Sequence, residues 1–151
     1  MEEDRPWVER FIRERWGAPE VAGRGRLQTP AELPGFAVVE GEEPTGLLTY
    51  AIDGESCEIV TIDSVAEGRG VGTALIEAVK EAARDAGCSR LWLITTNDNL
   101  PAQRFYERRG FALVAVHRGA ASESRKLKPE IPLVGAGGIP IEDELELELR
   151  L

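Results

Sequence analysis

The sequence is poor in cysteine and histidine, the residues that most often hold zinc, and in the thiols that form disulfides. Its 151 residues include only two cysteines, Cys57 and Cys88, and one histidine. Neither cysteine belongs to a CxxC pair, which argues against a zinc site and against a disulfide framework. We therefore predict no metal site, and we expect both thiols to be buried as small hydrophobic groups.

Long apolar runs are also absent. No run approaches the roughly 18 residues of a membrane span, and the opening MEEDRPWVERF lacks the apolar centre of a signal peptide. We therefore expect a cytoplasmic protein. The formal net charge is −9, which makes nucleic acid and anionic membranes poor partners and favours encounter with a cationic acceptor such as an amine.

The length and composition predict one folded domain. A chain of 151 residues has room for a single domain, and 42% of the residues are hydrophobic, which is enough to form a core. The sequence contains neither an internal repeat nor a low-complexity linker. We therefore treat residues 1–151 as one domain.

Apolar residues at helical spacing predict three main helices. One covers 7–16 with Gly17 as its stop, and one covers 71–86. A third lies within 97–110, with Pro101 in its first turn and Gly110 at its end.

Short apolar stretches bounded by turn residues predict the strands. The second and third of these stretches form a hairpin. The last, ELELELRL, alternates strictly, so we expect a half-buried antiparallel strand with leucines on one face and charges on the other. The order of elements indicates the α/β or α+β class, with a mixed central sheet of about six or seven strands flanked by helices. The predicted strands are 21–28, 35–40, 45–52, 57–65, 91–96, 111–116 and 144–151.

A glycine-rich turn, EGRGVGTAL, connects a predicted strand to a predicted helix. A helix start offers unpaired backbone N–H groups and the positive end of the dipole, and glycines let an anion approach them closely. The P-loop would need a lysine after Gly72, which is absent. The dinucleotide fingerprint would need a glycine at Thr73, and it would follow the first strand rather than a later one.

A third kind of phosphate cradle fits the turn. The run RGVGTAL at 69–75 resembles the pyrophosphate motif Q/R-x-x-G-x-G/A of the GNAT superfamily of N-acetyltransferases, with Gly70 and Gly72 as its two glycines. Glu67 stands where the family has Gln or Arg, and Arg69 can supply the cation instead. The resemblance assigns pyrophosphate binding to Arg69, Gly70, Val71, Gly72 and Thr73.

A second motif strengthens the resemblance. The residues Asn99, Ala102, Tyr106 and the Gly110–Phe111 pair are similar to the family's cofactor motif N-x-x-A-x-x-x-Y-x-x-x-G-F. The motif falls about 27 residues after the glycines, where the family has it, and the resemblance extends from about residue 58 to 111.

The resemblance implies an activity and a cofactor. A GNAT enzyme moves the acetyl group of acetyl-CoA to a primary amine by direct attack through a ternary complex. The strand that ends at Ser64 and Val65 would pair with the pantetheine arm, and a bulge there would splay it from strand 91–96 and open a cleft for that arm. A free backbone N–H at Val65 would polarise the thioester carbonyl.

The resemblance also implies roles for two side chains. Tyr106 matches the general acid that gives a proton to the leaving thiolate, although its spacing is equally that of a residue packed beside Phe105. Glu58 stands where several family members have a general base, and a buried carboxylate has the raised pKa that suits a base. A salt-bridged strand-end glutamate is the alternative for Glu58. Asp63, or a water chain, is the alternative base.

Other polar residues have less specific interpretations. Asn99 contacts the pantetheine arm or caps the third helix, and Asn97 can share the capping. His117 is expected to be an exposed residue at a strand end rather than the partner of a Cys57 nucleophile. One arginine of the third helix meets the 3′-phosphate of CoA, or all of them lie on a solvated face. These arginines are Arg104, Arg108 and Arg109.

The connection from 117 to 143 is long for a loop, and SESRKLKP within it predicts a short helix. We expect this connection to fold as a lid over the acceptor side of the cleft, with a glycine hinge at 135–138. The alternatives are a surface connection or a homodimer contact through Ile131, Leu133 and Val134.

Two other functions are compatible with parts of the sequence. A non-catalytic acyl-CoA-binding regulatory module would keep the glycines and the cleft but not the chemistry. A dinucleotide-binding domain is disfavoured by Thr73 and by the strand order. The identity of the acceptor amine does not follow from the resemblance, because one fold serves many substrates.

Overall fold

The computed structural model describes residues 4–16, 20–23, 26–65 and 70–151. These residues divide into two compact units. The first takes its residues from 1–19, 29–91 and 150–151, and the second from 20–28 and 92–149. That 1–151 is a single domain stays a prediction.

Four helices form in the described part of the chain. Three of them confirm the helices predicted from apolar spacing, and the fourth confirms the short helix predicted after the strand at 111–116. The predicted stop at Gly17 lies outside the described residues. No described helix has the length and apolar character needed to cross a membrane. The helices are α1 (Arg5–Trp16), α2 (Val71–Asp85), α3 (Leu100–Glu107) and α4 (Ala120–Leu127).

Eight strands form among the described residues, and six of them make the predicted mixed sheet. The strand order in this sheet is 3-4-5-6-8-7 when the strands are numbered along the chain. The predicted mixed α/β class is confirmed. The strands are β1 (Val21–Gly23), β2 (Arg26–Gln28), β3 (Gly35–Glu40), β4 (Glu43–Asp53), β5 (Ser56–Ser64), β6 (Arg90–Thr96), β7 (Ala112–His117) and β8 (Glu144–Arg150).

The predicted first strand, 21–28, is two strands. β1 and β2 pair antiparallel as a separate two-stranded sheet, with Val21 opposite Gln28 and Gly23 opposite Arg26. The chain therefore reverses direction inside the apolar stretch. A hairpin was therefore the better interpretation of 21–28.

In the first unit, β3, β4 and β5 pair antiparallel, which confirms the predicted hairpin. The apolar face of α1 packs on β4, where Phe11 and Ile12 form a buried cluster with Leu47. The apolar face of α2 packs against the same three strands. Each helix buries one apolar stripe, as its sequence spacing requires.

In the second unit, β7 and β8 pair antiparallel, with Val116 opposite Leu145. Helix α4 packs on β1 and β2. Two leucines of β8 are buried, as the alternation of ELELELRL predicts: Leu145 and Leu147.

The first two glutamates on the charged face of β8 are also buried, which the sequence did not indicate. Glu144 is 2% exposed and Glu146 is 9% exposed, because β8 is an inner strand of the sheet. The Oγ of Ser124 donates a 2.6 Å hydrogen bond to Glu144, and Glu146 lies 3.0 Å from Nε2 of His117. Such partners offset the cost of burying a carboxylate. The expectation of a half-buried strand was therefore wrong.

Candidate active site

The glycine-rich turn begins helix α2. Glu67, Gly68 and Arg69 lie outside the described residues, and the described chain resumes at Gly70. Gly70 is the N-cap residue, with φ of 75° and ψ of 8°. A side chain in this left-handed conformation costs roughly 1–2 kcal/mol, whereas an added Cβ would meet no atom within 4 Å. The backbone conformation, rather than crowding, therefore favours glycine here.

The start of α2 is suited to an anion. The cap residue Gly70 has no side chain that could occupy the helix start, and the first turn of α2 contains no acidic residue. Backbone N–H groups of the first turn have no acceptor within a helix. The first helical hydrogen bond runs from the N–H of Ala74 to the carbonyl of Gly70. The predicted phosphate ligands Val71, Gly72 and Thr73 are therefore the first three residues of the helix, with Val71 itself buried.

Gly46 of β4 sets the position of this helix start, and sequence reasoning missed it. A Cβ at Gly46 would lie 2.3 Å from Cγ1 of Val71 and 3.3 Å from Cδ1 of Leu75. Only glycine therefore allows the first turn of α2 to approach the strand this closely. An isolated glycine inside an apolar strand sequence, here TGLLTYAI, is the signal of such an approach.

The role predicted for the backbone N–H of Val65, at the end of β5, is wrong. That group donates a 2.8 Å hydrogen bond to the carbonyl of Thr45. This N–H is therefore not free to polarise a thioester, because the pairing of β4 and β5 continues past Ser64, which lies opposite Gly46. The register shift in this ladder lies between Thr49 and Tyr50, and the bulge that was predicted to splay β5 from strand 91–96 stays a prediction.

Asp63 receives hydrogen bonds from the last turn of α1. Nε1 of Trp16 donates to Oδ2 at 2.6 Å, and Nε of Arg15 donates to Oδ1 at 3.4 Å. Burial raises the pKa of the Asp63 carboxyl above its ordinary value, against the opposing effects of Trp16 and Arg15. A raised pKa suits the alternative role of Asp63 as a base, and that role stays a prediction.

Glu58 lies within β5, half-buried and opposite Ala51. Its neighbours on both sides, Cys57 and Ile59, point into the core of the first unit. The side chain of Glu58 therefore points to the opposite face of the strand, and catalysis by Glu58 stays a prediction.

Helix α3 carries the second predicted motif. Oδ1 of Asn99 accepts a 3.2 Å hydrogen bond from the N–H of Ala102, so Asn99 is the N-cap. Pro101 lies in the first turn, as predicted. Asn97 does not cap the helix, because its side chain bonds to the chain at 140–143. A contact of Asn99 or Ala102 with pantetheine stays a prediction.

Tyr106 is the buried residue of α3, at 7% exposure. Its ring makes edge-on contacts with the rings of Phe105, at 5.3 Å between centroids, and Phe111, at 5.6 Å. The packing interpretation is therefore confirmed. Since the hydroxyl is at the far end of the ring from the backbone, this packing is compatible with the predicted general acid.

Arg109 is not part of a solvated basic face. Its guanidinium lies 3.5 Å from the centroid of the Phe105 ring, and Nη1 donates a 2.8 Å hydrogen bond to the Phe105 carbonyl. Arg104 and Arg108 are exposed. These two arginines are the better candidates for the 3′-phosphate of CoA.

The interpretation of the cysteines is confirmed, whereas the interpretation of His117 is wrong. Cys57 and Cys88 are buried thiols, as predicted. Burial raises the pKa of Cys57 to about 12, with smaller effects of Cys88 and Glu58, so Cys57 is a poor nucleophile. His117 is not the exposed residue that we expected: its side chain is 25% exposed and bonds to Glu146.

The geometry of the two motifs agrees with a comparison of whole sequences. Residues 3–111 match the acetyltransferase (GNAT) family. The chain belongs to this family. It is 48% identical over 136 residues to the uncharacterised protein YdhI of Bacillus subtilis (strain 168), covering 89% of this chain and 85% of YdhI.

Two further similar proteins carry informative names. The chain is 34% identical over 96 residues to the streptothricin acetyltransferase of Streptomyces lavendulae, covering 61% of this chain and 47% of that protein. A Bacillus subtilis acetyltransferase crystallised with CoA has a TM-score of 0.65 at 22% identity, covering 76% of this chain and 74% of that one. This second likeness shows that the GNAT fold is shared.

Proposed function

We propose that this GNAT protein moves the acetyl group of acetyl-CoA to a primary amine by direct attack in a ternary complex. The observation that carries the proposal is the start of α2, where Gly70 adopts the left-handed conformation directly before the first turn of the helix. A diphosphate is the kind of group that this arrangement binds.

Each predicted ligand has a role in holding acetyl-CoA. The backbone N–H groups of Val71, Gly72 and Thr73 hold the pyrophosphate, and Arg69 supplies the cation. The strand end at Ser64 and Val65, together with Asn99 and Ala102, holds the pantetheine arm. The backbone N–H of Val65 takes no part in this, because it already donates a hydrogen bond to the carbonyl of Thr45.

The chemistry requires one base and one acid. The amine nitrogen attacks the thioester carbon, the C–N bond forms, and the tetrahedral intermediate collapses with cleavage of the C–S bond. The proton lost by the amine passes to Glu58, with Asp63 or a water chain as the alternative. Tyr106 gives a proton to the thiolate that leaves.

The acceptor is an amine, either a small molecule or the N-terminus or a lysine of a protein. The net charge of −9 favours a cationic acceptor in encounter. The name of the streptothricin acetyltransferase relative supports a small-molecule acceptor. A cytoplasmic location and a homodimer stay predictions.

Gly70 offers a test with a matched control. Both Asp and Asn tolerate the left-handed conformation, so Gly70→Asp and Gly70→Asn differ mainly in charge. We expect Gly70→Asp to abolish acetyl-CoA binding in calorimetry, because its carboxylate repels the pyrophosphate, and Gly70→Asn to bind more tightly than Gly70→Asp. Equal, wild-type affinity of both folded variants would contradict the phosphate role.

A panel of amines tests the transfer itself. Thiol release from acetyl-CoA, measured with polyamines, amino acids, antibiotics and peptides, should rise above the background for at least one class. A wild-type chain that binds acetyl-CoA and releases no thiol with any of them would instead be the acyl-CoA-binding regulatory module.

A further inference from the structure

The loop between β6 and α3 is hydrogen-bonded to residues 135–143, which lie about 40 positions later in the chain. Oδ1 of Asn97 accepts hydrogen bonds from the N–H groups of Glu142 and Asp143, both at 3.0 Å, and Nδ2 donates to the carbonyl of Pro140 at 2.8 Å. The backbone N–H of Asn97 also donates to the carbonyl of Asp143 at 3.1 Å. Four hydrogen bonds therefore join one residue to 140–143.

Asp98 makes a second attachment beside the first. Its side chain is 7% exposed. Oδ2 accepts a 3.1 Å hydrogen bond from the N–H of Ala136, and Oδ1 accepts from the hydroxyl of Thr96. A Cβ at Gly135 would lie 2.1 Å from the same Oδ2. A glycine is therefore required for residues 135–136 to reach this carboxylate.

Residues 135–143, here called the strap, have a fixed internal structure. The N–H of Gly135 donates to the carbonyl of Ile139 at 2.9 Å, around a 3₁₀ turn at Ala136–Gly138. Gly137 and Gly138 have positive φ values of 65° and 75°. These are the roles of glycines in a tight turn, and the predicted glycine hinge stays a prediction.

Arg125 of α4 holds the chain around the strap. Its guanidinium donates to the carbonyl of Ile131 at 3.0 Å, of Pro132 at 2.9 Å and of Ile141 at 3.0 Å. One side chain that satisfies three backbone carbonyls fixes the path of the chain on both sides of the turn. The strap is therefore a preformed element, and it is hydrogen-bonded to Asn97 and Asp98, the residues just before α3.

The contacts at the start of α3 affect the orientation of the whole helix, because the helix is short. It has eight residues and so extends about 12 Å. A helix of this length is marginal without tertiary contacts. Asn99 caps its first turn and Tyr106 lies in its last turn, so a tilt at residues 97–99 displaces both.

We propose that the strap positions the cofactor helix: through Asn97 and Asp98 it sets the orientation of α3, and thereby the placement of Asn99 and Tyr106 on acetyl-CoA. Asn97 and Asp98 are positioning residues, because neither contacts substrate in this scheme. The inference rests on the proposed function. It replaces the expectation that the 117–143 connection selects the acceptor amine.

The test compares variants that cut the attachments with variants that keep them. Asn97→Ala removes the three side-chain hydrogen bonds of Asn97 to the strap, and Asp98→Ala removes the hydrogen bond to Ala136. Asp98→Asn keeps an oxygen that can accept from Ala136. Glu142→Gln is the matched control, since Glu142 is exposed and contributes only backbone groups. For each variant, acetyl-CoA affinity is measured by calorimetry, and kcat and both Michaelis constants by thiol release.

We expect both alanine variants to lower kcat/KM for acetyl-CoA by about 10- to 100-fold, the usual effect of a displaced catalytic group. The KM for the amine stays within about twofold of wild type if orientation alone is changed. Asp98→Asn recovers most of the loss. A changed amine KM with unchanged acetyl-CoA parameters would overturn the proposal in favour of an acceptor lid.

Hydrogen exchange of the wild-type protein gives a second measurement if the alanine variants do not fold. Acetyl-CoA alone should increase protection of both 97–107 and 135–143, and an amine alone should not. Protection of α3 without any change in the strap would contradict the inference. The proposed function fails separately, if the wild-type protein binds no acetyl-CoA in calorimetry.

Discussion

Nε1 of Trp16 donates a 2.6 Å hydrogen bond to Oδ2 of Asp63, which joins the last residue of α1 to the end of β5. Arg15 adds a 3.3 Å hydrogen bond to the carbonyl of Ser64. The last turn of α1 therefore holds the strand end that precedes the glycine-rich turn. Burial raises the pKa of Asp63, and the hydrogen bond from Trp16 is the largest opposing effect.

Replacement of Trp16 by Phe should raise the pKa of Asp63 further. The ring is kept, but the N–H that stabilises the ionised carboxylate is lost. Carbon-13 NMR titration of the Asp63 carboxyl measures the change. Trp7→Phe is the matched control, because Nε1 of Trp7 donates instead to Asp4. If the Asp63 titration were the same in Trp16→Phe as in wild type, the hydrogen bond would have no electrostatic role.

The raised pKa of Asp63 also predicts a dependence of stability on pH. A raised pKa means that the folded state binds the Asp63 proton more tightly than the unfolded state. This contribution is fully present below the ordinary pKa of 3.8, and it is lost as the pH rises through the folded-state value. Wild type should therefore lose stability relative to Asp63→Asn over this range. Denaturant unfolding at several pH values measures it, and a constant difference between the two proteins would refute the prediction.

Gly46→Ala should weaken acetyl-CoA binding from a position outside the glycine-rich turn. The new methyl group would displace Val71, the first residue of α2, and overpacking of this kind costs about 1–3 kcal/mol of stability. Val71→Ala removes the atom that clashes. The double variant should therefore bind acetyl-CoA better than Gly46→Ala alone, as calorimetry and a double-mutant cycle can determine. Additive losses would mean that the two residues are not coupled.

Tyr106→Phe should lower turnover by about 10²-fold, the usual scale for a positioned proton donor. The ring contacts with Phe105 and Phe111 do not need the hydroxyl, so acetyl-CoA affinity should persist. Tyr50→Phe is the control, since Tyr50 is the other tyrosine of the chain and stacks on Phe36. An unchanged rate for Tyr106→Phe, with the chemical step shown to be rate-limiting, would mean that Tyr106 has only a packing role.

The sequence alone was sufficient for the elements and motifs that depend on local patterns. Helical spacing predicted α2, and the spacing of Asn99, Ala102 and Tyr106 indicated the GNAT family to which the chain belongs. These signals are local, because a helix face or a glycine turn is specified by neighbouring residues.

The tertiary structure decided what distant residues do to one another. The alternation of ELELELRL was correct, but only the inner position of β8 in the sheet shows that Glu144 and Glu146 are buried. Likewise, Val65 was expected to have a free N–H, which the carbonyl of Thr45 accepts. The attachments of Trp16 to Asp63 and of Asn97 to the strap join residues more than 40 positions apart. Such contacts depend on how the chain packs, since no local preference of either partner specifies the other.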